Sequence, residues 1–253
     1  MEFTTFPATT IGIAKLSKRY RRGITALSNI EVTFTPGITA VLGRNGAGKS
    51  TLVRSIVGID TRYDGTITFE ESGEILGRAE RMRRLGWLPQ SFGYPARMTT
   101  RDFVAYAAWL KGLPRDSDEA IDCALDTADV ASHGRQRLDA LSGGTLRRVG
   151  FAASIVHAPS VLVLDEPTTG LDPIQRAEFH ERLAMIGRRS TVVLATHILE
   201  DVAALADRVH VIEAGELVWS GTAVGLSRAG GNTAVDSETL RSGFRSVVGG
   251  ELS

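Results

Sequence analysis

Among 253 residues there is one cysteine, Cys123, so no internal disulfide framework exists and a reducing compartment fits the chain. Cys123 falls in an apolar helical pattern with Ala120, Ile121, Ala124 and Leu125 and is expected as a small buried packing residue. No run approaches the roughly 18 uninterrupted apolar residues that a membrane-spanning helix needs. The start, Met1 to Pro7, lacks the basic opening and apolar stretch of a secretory signal. The expectation is a soluble, cytoplasmic chain, with any membrane supplied by another polypeptide. A surplus of either charge is also missing: 29 basic side chains face 29 acidic ones, so a nucleic-acid partner is not expected without a local basic patch. Lys18, Arg19, Arg21, Arg22 and Arg78, Arg81, Arg83, Arg84 are the two candidate patches, each expected as an ordinary solvated face. Internal repeats, low-complexity tracts and coiled-coil heptads are absent.

What the chain has is enough apolar material, 43% of residues, to bury a substantial core, arranged in an α/β pattern with a helical interruption. Ile30, Val32 and Phe34 alternate with polar residues, Pro36-Gly37 gives a turn signal, and Ile38 to Leu42 is an apolar run, which together predict a β-hairpin feeding a glycine-rich loop. A helix is expected from Lys49 to about Val57, stopped by Gly58. Short strands follow at Ile67 to Phe69 and Leu85 to Leu88. From Thr99 to His157 the texture is helical, with Thr100 as a cap, a second helix over Ser117 to Ala128 and a third starting at Ser142-Gly143-Gly144. Val161 to Leu164 and Thr191 to Leu194 are strands separated by a helix from about Pro173 to Gly187, the βαβ arrangement of a parallel sheet. Val209 to Ile212 and Leu217 to Trp219 predict a closing hairpin. The expected organisation is an α/β core from residues 1–90 and 159–225, a helical insert over 91–158, and a Gly- and Ser-rich tail over 226–253.

The chemistry begins at Gly43-Arg44-Asn45-Gly46-Ala47-Gly48-Lys49-Ser50-Thr51. Phosphates are held by backbone N–H groups turned inward, which Gly43, Gly46 and Gly48 permit. The helix that follows directs its positive end at the same anion, Lys49 can reach the β and γ phosphates, and Ser50 can ligate Mg²⁺. Arg44, Asn45, Ala47 and Thr51 complete the candidate nucleotide loop. Asp165 and Glu166 end an apolar strand, where carboxylates lie beside the phosphate loop of an open α/β sheet. Asp165 can hold the hydrated Mg²⁺, while Glu166 can orient or deprotonate an attacking water.

With Leu141-Ser142-Gly143-Gly144 lying between the loop and the acidic pair, the chain resembles the nucleotide-binding subunit of an ABC transporter over about residues 11 to 222. Leu141 to Gly144 resembles the family's signature. Gln90 falls at its glutamine loop, Gly170-Leu171-Asp172 at its D-loop, His197 at its switch histidine and Tyr20 at the aromatic residue that stacks on adenine. The resemblance implies an α/β fold with a P-loop NTPase core on a parallel sheet, an antiparallel β subdomain and an inserted α-helical subdomain. It implies ATP and Mg²⁺ as cofactors, with Gln90 beside Ser50 and Asp165 at the metal, Glu166, His197 and Lys49 in catalysis, and Asp172 at the nucleotide. The signature is a second helix N-terminus, capped by serine, and hence a second anion site. In the family that site meets the ATP of an opposite subunit, so a homodimer and separate transmembrane permease subunits are expected partners.

The family often has Gln after the glycine pair, where this chain has Thr145, a departure that bears on contacts to the sugar and leaves the phosphate contacts expected from Ser142, Gly143 and Gly144 unaffected. Met98 to Leu113 and Leu146 to Ser154 look most like bacterial exporters of the drug- and antibiotic-resistance type. The expected function is therefore an ATPase that powers export from the inner face of the cell membrane. An importer subunit, or an ATP-gated protein acting on soluble partners, are the alternatives.

Overall fold

The computed structural model describes residues 6–21 and 23–249; residues 1–5 of the opening segment and Arg22 lie outside it. Strands Thr9–Arg19 (β1), Thr25–Phe34 (β2), Asp64–Glu71 (β4) and Glu74–Ile75 (β5) form one sheet. Strands Gly37–Leu42 (β3), Leu85–Leu88 (β6), Val161–Asp165 (β7), Thr191–Thr196 (β8), Arg208–Glu213 (β9) and Glu216–Gly221 (β10) form another. The first sheet is antiparallel in the order β2-β1-β4-β5. The second runs β10-β9-β3-β8-β7-β6 and is parallel except for the β9-β10 pair. The helices are α1 (Lys49–Ile56), α2 (Arg78–Arg84), α3 (Thr100–Leu110), α4 (Asp118–Thr127), α5 (Gly143–Ile155), α6 (Pro173–Gly187), α7 (Leu199–Leu205), α8 (Ala223–Ala229) and α9 (Ser237–Val248).

Period-two alternation divides the core. Val161, Val163, Val193 and Ala195 face α1 and the antiparallel sheet, where Phe34 and Phe69 are wholly buried. Leu162, Leu164, Val192 and Leu194 face the other way, onto the helices that include Val104, Val149, Phe151 and Phe179. Ala40, Leu42, Val209 and Val211 meet a third layer, which Leu226 and Leu240 complete. Because β7 and β8 are covered on both faces, they read as unbroken apolar runs. Each wholly buried Leu or Val contributes about 1.5–3 kcal/mol relative to exposure.

The structure corrects several expectations. β2 and β3 follow each other across Pro36-Gly37 but do not pair, because β2 alternates and joins β1 while β3 is apolar throughout and inserts between β8 and β9. Gly37 N–H donates to Ser190 O, 3.2 Å away, and this anchors the chain in the second sheet. The cap of α3 is Thr99, whose side chain accepts from Asp102 N–H at 3.2 Å; Thr100 is buried and donates to Gln136 O. Cys123 is exposed. On α4 it lies roughly 200° from Ile121, opposite the face that buries Ala120, Ile121, Ala124 and Leu125.

Of the basic patches, Lys18 is buried and donates to Arg62 O at 2.6 Å, whereas Arg19 and Arg21 are exposed. Arg84 grips Glu71 through two bonds of 3.1 and 2.8 Å, and Arg81 covers the Phe69 ring, so α2 is tied to the antiparallel sheet. The tail is structured through α9, which buries Leu240 and packs Phe244 and Val247 against the third layer.

Candidate active site

The glycine-rich loop joins β3 to α1. Gly48 caps α1 at φ 112°, and a Cβ there would lie 2.7 Å from Ala26 O, so only glycine fits. No side chain caps α1 and its first turn holds no acidic residue, which leaves its N–H groups and positive end directed at the loop. Lys49 is buried and donates to Gly43 O at 2.8 Å and Arg44 O at 3.1 Å. Its ammonium is 3.6 Å from Glu166 Oε1. Burial pushes its pKa down, opposed by the charges of Glu166 and Asp165. Of the other loop residues Ala47 is buried, while Asn45 and Gly46 are exposed. Tyr20 is brought beside this helix: its hydroxyl lies 3.3 Å from Thr51 Oγ1 and donates to Asp60 Oδ2 at 2.8 Å. Burial, first among its influences, raises the Tyr20 pKa.

The acidic pair stands at the end of β7. Ser50 Oγ donates to Asp165 Oδ1 across 3.4 Å, and burial raises the Asp165 pKa. These two oxygen donors match the hard, hydrated preference of Mg²⁺, which takes one or two protein oxygens and completes its shell with water and phosphate. Among the described residues no three His, Cys, Asp or Glu side chains gather as a metal cage. Glu166 has φ 52°, the left-handed region that non-glycine residues rarely occupy and that costs about 1–3 kcal/mol. Its carboxylate is buried, with His197 Nδ1 at 2.8 Å from Oε1, while the His197 ring remains half exposed.

The signature forms a separate cleft of about 610 Å³ lined by Gln90, Ser142, Gly143, Gly144, Thr169, Gly170 and Asp172, with Gln175 and Arg147. No residue of the glycine-rich loop lines it. Ser142 caps α5 by accepting from Thr145 N–H at 3.2 Å, and the two hydroxyls lie 2.9 Å apart. Thr145 is buried against the cap and is not among the residues that line the cleft. Asp172 caps α6 by accepting from Gln175 N–H at 2.9 Å. Lys49, Ser50, Asp165, Glu166 and His197 thus converge in one cluster, and Gln90, Ser142, Gly143, Gly144 and Asp172 in another.

Two elements escaped the sequence. Arg147 is buried in α5 and bonded to the carbonyls of Pro89, Gln90, Asp165 and Glu166. Asp201, wholly buried on α7, accepts from Thr168 Oγ1 at 2.5 Å, His180 Nε2 at 2.8 Å and Thr196 Oγ1 at 3.4 Å. This ties the loop after Glu166 to the strand end before His197. The carboxylate sits between the hydroxyls and the imidazole, so no hydroxyl meets a base and the trio is a brace rather than a nucleophile. Its signal was a charge on the face that Leu205, four residues on, also buries.

With this geometry in place, comparison with known proteins is direct. Residues 27–169 match the ABC transporter family. The Nod factor export ATP-binding protein I of Rhizobium leguminosarum bv. viciae is 35% identical over 83% of this chain and 68% of its own length. The daunorubicin resistance ATP-binding protein DrrA3 of Streptomyces coeruleorubidus is 37% identical over 83% and 68%. The methionine import ATP-binding protein MetN of Corynebacterium diphtheriae is 34% identical over 83% and 64%. A solved ATP binding subunit of an ABC transporter superposes with a TM-score of 0.78 at 22% identity, covering 91% of this chain and 97% of that one, a likeness of fold. The chain belongs to the ABC transporter family, as one of its ATP-binding subunits. It is an ATPase whose hydrolysis is coupled to transport. Among the described residues no helix is long and apolar enough to cross a membrane.

Proposed function

We propose that this subunit powers export, working as a homodimer docked on separate permease subunits at the inner face of the cell membrane. The observation that carries the dimer is the separation of two helix N-termini. One lies behind the phosphate loop; the other opens into a cleft to which that loop contributes nothing. A single chain then has two anion-binding ends for one nucleotide, and a second copy supplies the other nucleotide. Ser142, Gly143 and Gly144 reach the γ-phosphate held by the partner's loop, and Asp172 lies at the same junction.

Within one chain, Gly43 to Thr51 bind the phosphates through main-chain N–H groups, Lys49 exchanges its loop carbonyls for phosphate oxygens, and Tyr20 stands beside the loop for the adenine. Ser50 and Asp165 would hold Mg²⁺, with Gln90 approaching from the neighbouring cleft; when bound, the ion neutralises charge on the phosphate oxygens. Glu166 accepts a proton from the attacking water as its oxygen bonds to the γ-phosphorus and the bond to ADP breaks. His197 holds the Glu166 carboxylate in position through its Nδ1–H. Residues 91–158, with α3 to α5, form the helical subdomain on which the permease docks; residues 1–90 and 159–225 form the core, and 226–253 a C-terminal appendage.

Export is favoured by the likeness to Nod factor export and daunorubicin resistance proteins, and import by the likeness to MetN. Two measurements test this. The chain should co-purify with a polytopic membrane protein that stimulates its ATPase, whereas stimulation by ribosomes or DNA would overturn the transport role. ATP-driven accumulation of cargo inside inverted vesicles supports export; depletion from them supports import.

A further inference from the structure

Arg147 stands in the second turn of α5 with 8% of its surface exposed, and every hydrogen bond of its guanidinium goes to a main-chain carbonyl. One terminal nitrogen donates to Pro89 O and to Gln90 O, the latter at 2.9 Å. The other donates to Asp165 O and to Glu166 O, the latter also at 2.9 Å.

The pairing has a geometric meaning. The carbonyl of Asp165 belongs to the peptide plane before the Glu166 Cα and the carbonyl of Glu166 to the plane after it. A single nitrogen bonded to both sets φ and ψ of Glu166 together. The same holds for Pro89 O and Gln90 O about the Cα of Gln90. The planar guanidinium has its donors in fixed relation, so the two grips are also fixed to each other. Glu166 needs such a grip, because φ 52° is a conformation that a glutamate does not hold unaided.

Helix packing alone does not call for a charge here. Burying a cation forfeits its hydration, and burial draws the Arg147 pKa down to about 10 against the opposing pull of Asp165 and Glu166. That cost is offset by the main-chain carbonyls of four residues in two site segments, Pro89-Gln90 and Asp165-Glu166, and by the nearby acidic pair. α5 also begins at the signature, so any movement of Ser142 relative to the core is felt at the Glu166 backbone through four residues of rigid helix.

We propose that Arg147 is a positioning residue for hydrolysis, fixing the torsions of Glu166 and Gln90 together and presenting both side chains in one relation only while α5 is seated. The inference rests on Glu166 as the carboxylate that activates water.

The test compares Arg147→Ala, Arg147→Lys and Glu166→Gln in the full chain, measuring kcat and KM for ATP, ADP affinity, Tm, and kcat with added methylguanidinium. Arg147→Ala should lower kcat between about tenfold and about a hundredfold, as for a misplaced catalytic group, with KM and ADP affinity within about twofold. Methylguanidinium should restore part of the kcat of Arg147→Ala and none in Glu166→Gln. A folded Arg147→Ala chain with wild-type kcat, or with a loss that methylguanidinium leaves untouched, overturns the inference and leaves Arg147 a packing residue. Should Arg147→Ala not fold, Arg147→Lys decides: its single ammonium cannot bridge four carbonyls, so kcat falls at constant KM, and an unchanged kcat overturns the inference. Turnover retained in Glu166→Gln removes the carboxylate assignment and the inference with it; turnover lost there but intact in both Arg147 variants removes the inference alone.

Discussion

The Nδ1 of His197 lies 2.8 Å from Glu166 Oε1, the same carboxylate oxygen that faces the Lys49 ammonium at 3.6 Å. One buried carboxylate is thus shared by Lys49 of α1 and by His197, which follows β8. Replacing it by an amide preserves size and removes the base. Glu166→Gln should lower kcat by about 10²- to 10⁴-fold, the range of general base catalysis, while nucleotide affinity stays within about threefold and a dimer accumulates with ATP on size exclusion. Undiminished phosphate release would remove Glu166 from the proton transfer.

Acid should destabilise the chain through two buried histidines. Burial, aided by Lys111, lowers the His157 pKa to about 3, and burial, aided by Arg208, lowers that of His210 to about 4. Both fall below the unfolded value of about 6.5, so the unfolded chain binds more protons on acidification and stability drops as pH falls from about 6.5 toward those values. Between pH 7 and pH 5 the loss is about 2 kcal/mol for each histidine. Urea unfolding at the two pH values measures it. His157→Gln keeps a donor for Leu85 O, which His157 Nε2 meets at 3.1 Å, and should remove about half of the histidine contribution. An identical pH slope in that variant would clear His157 of the effect.

The parts of the site that anion chemistry dictates were legible in the chain: Gly43 to Thr51 and the Asp165-Glu166 pair lie where their spacing put them, between strand and helix or at a strand end. Non-local choices were not. The partners of β3 are β8 and β9, far along the chain, and nothing near Pro36-Gly37 announces them. β1 was overlooked because its alternation slips at Lys15, which takes φ 53° in a bulge, so Ile11 and Ile13 fall out of step with Leu16. Cys123 was a matter of helical phase, recoverable from its neighbours. Arg147 looks in one dimension like any surface arginine of an amphipathic helix, and only the convergence of two distant segments around it reveals its four carbonyl bonds. In the tail, Gly and Ser masked the helical spacing of Leu240, Phe244 and Val247.

That tail gives a further check. A Cβ on Gly243 of α9 would lie 1.9 Å from Leu226 O of α8, a backbone atom that cannot yield without parting the two helices. Gly243→Ala should cost about 1–3 kcal/mol by overpacking and raise amide exchange in α9 while leaving the exchange of β7 and β8 unchanged. Unaltered protection in α9 would mean that the helix pair is not packed as described.

Ser142 to Gly144 are proposed to complete the ATP site of a second chain, and mixing two crippled chains decides whether they do. A Lys49→Ala chain lacks the phosphate contact and a chain defective at Ser142 lacks the signature cap, so each should be nearly inactive alone. In a mixed dimer one site joins the intact phosphate loop of the Ser142 variant to the intact signature of the Lys49 variant. With mixed dimers verified by differential tags, ATPase activity should return toward one working site per dimer, about half of the wild-type rate. Mixed dimers that form and stay as inactive as either parent would contradict assembly of the site between chains.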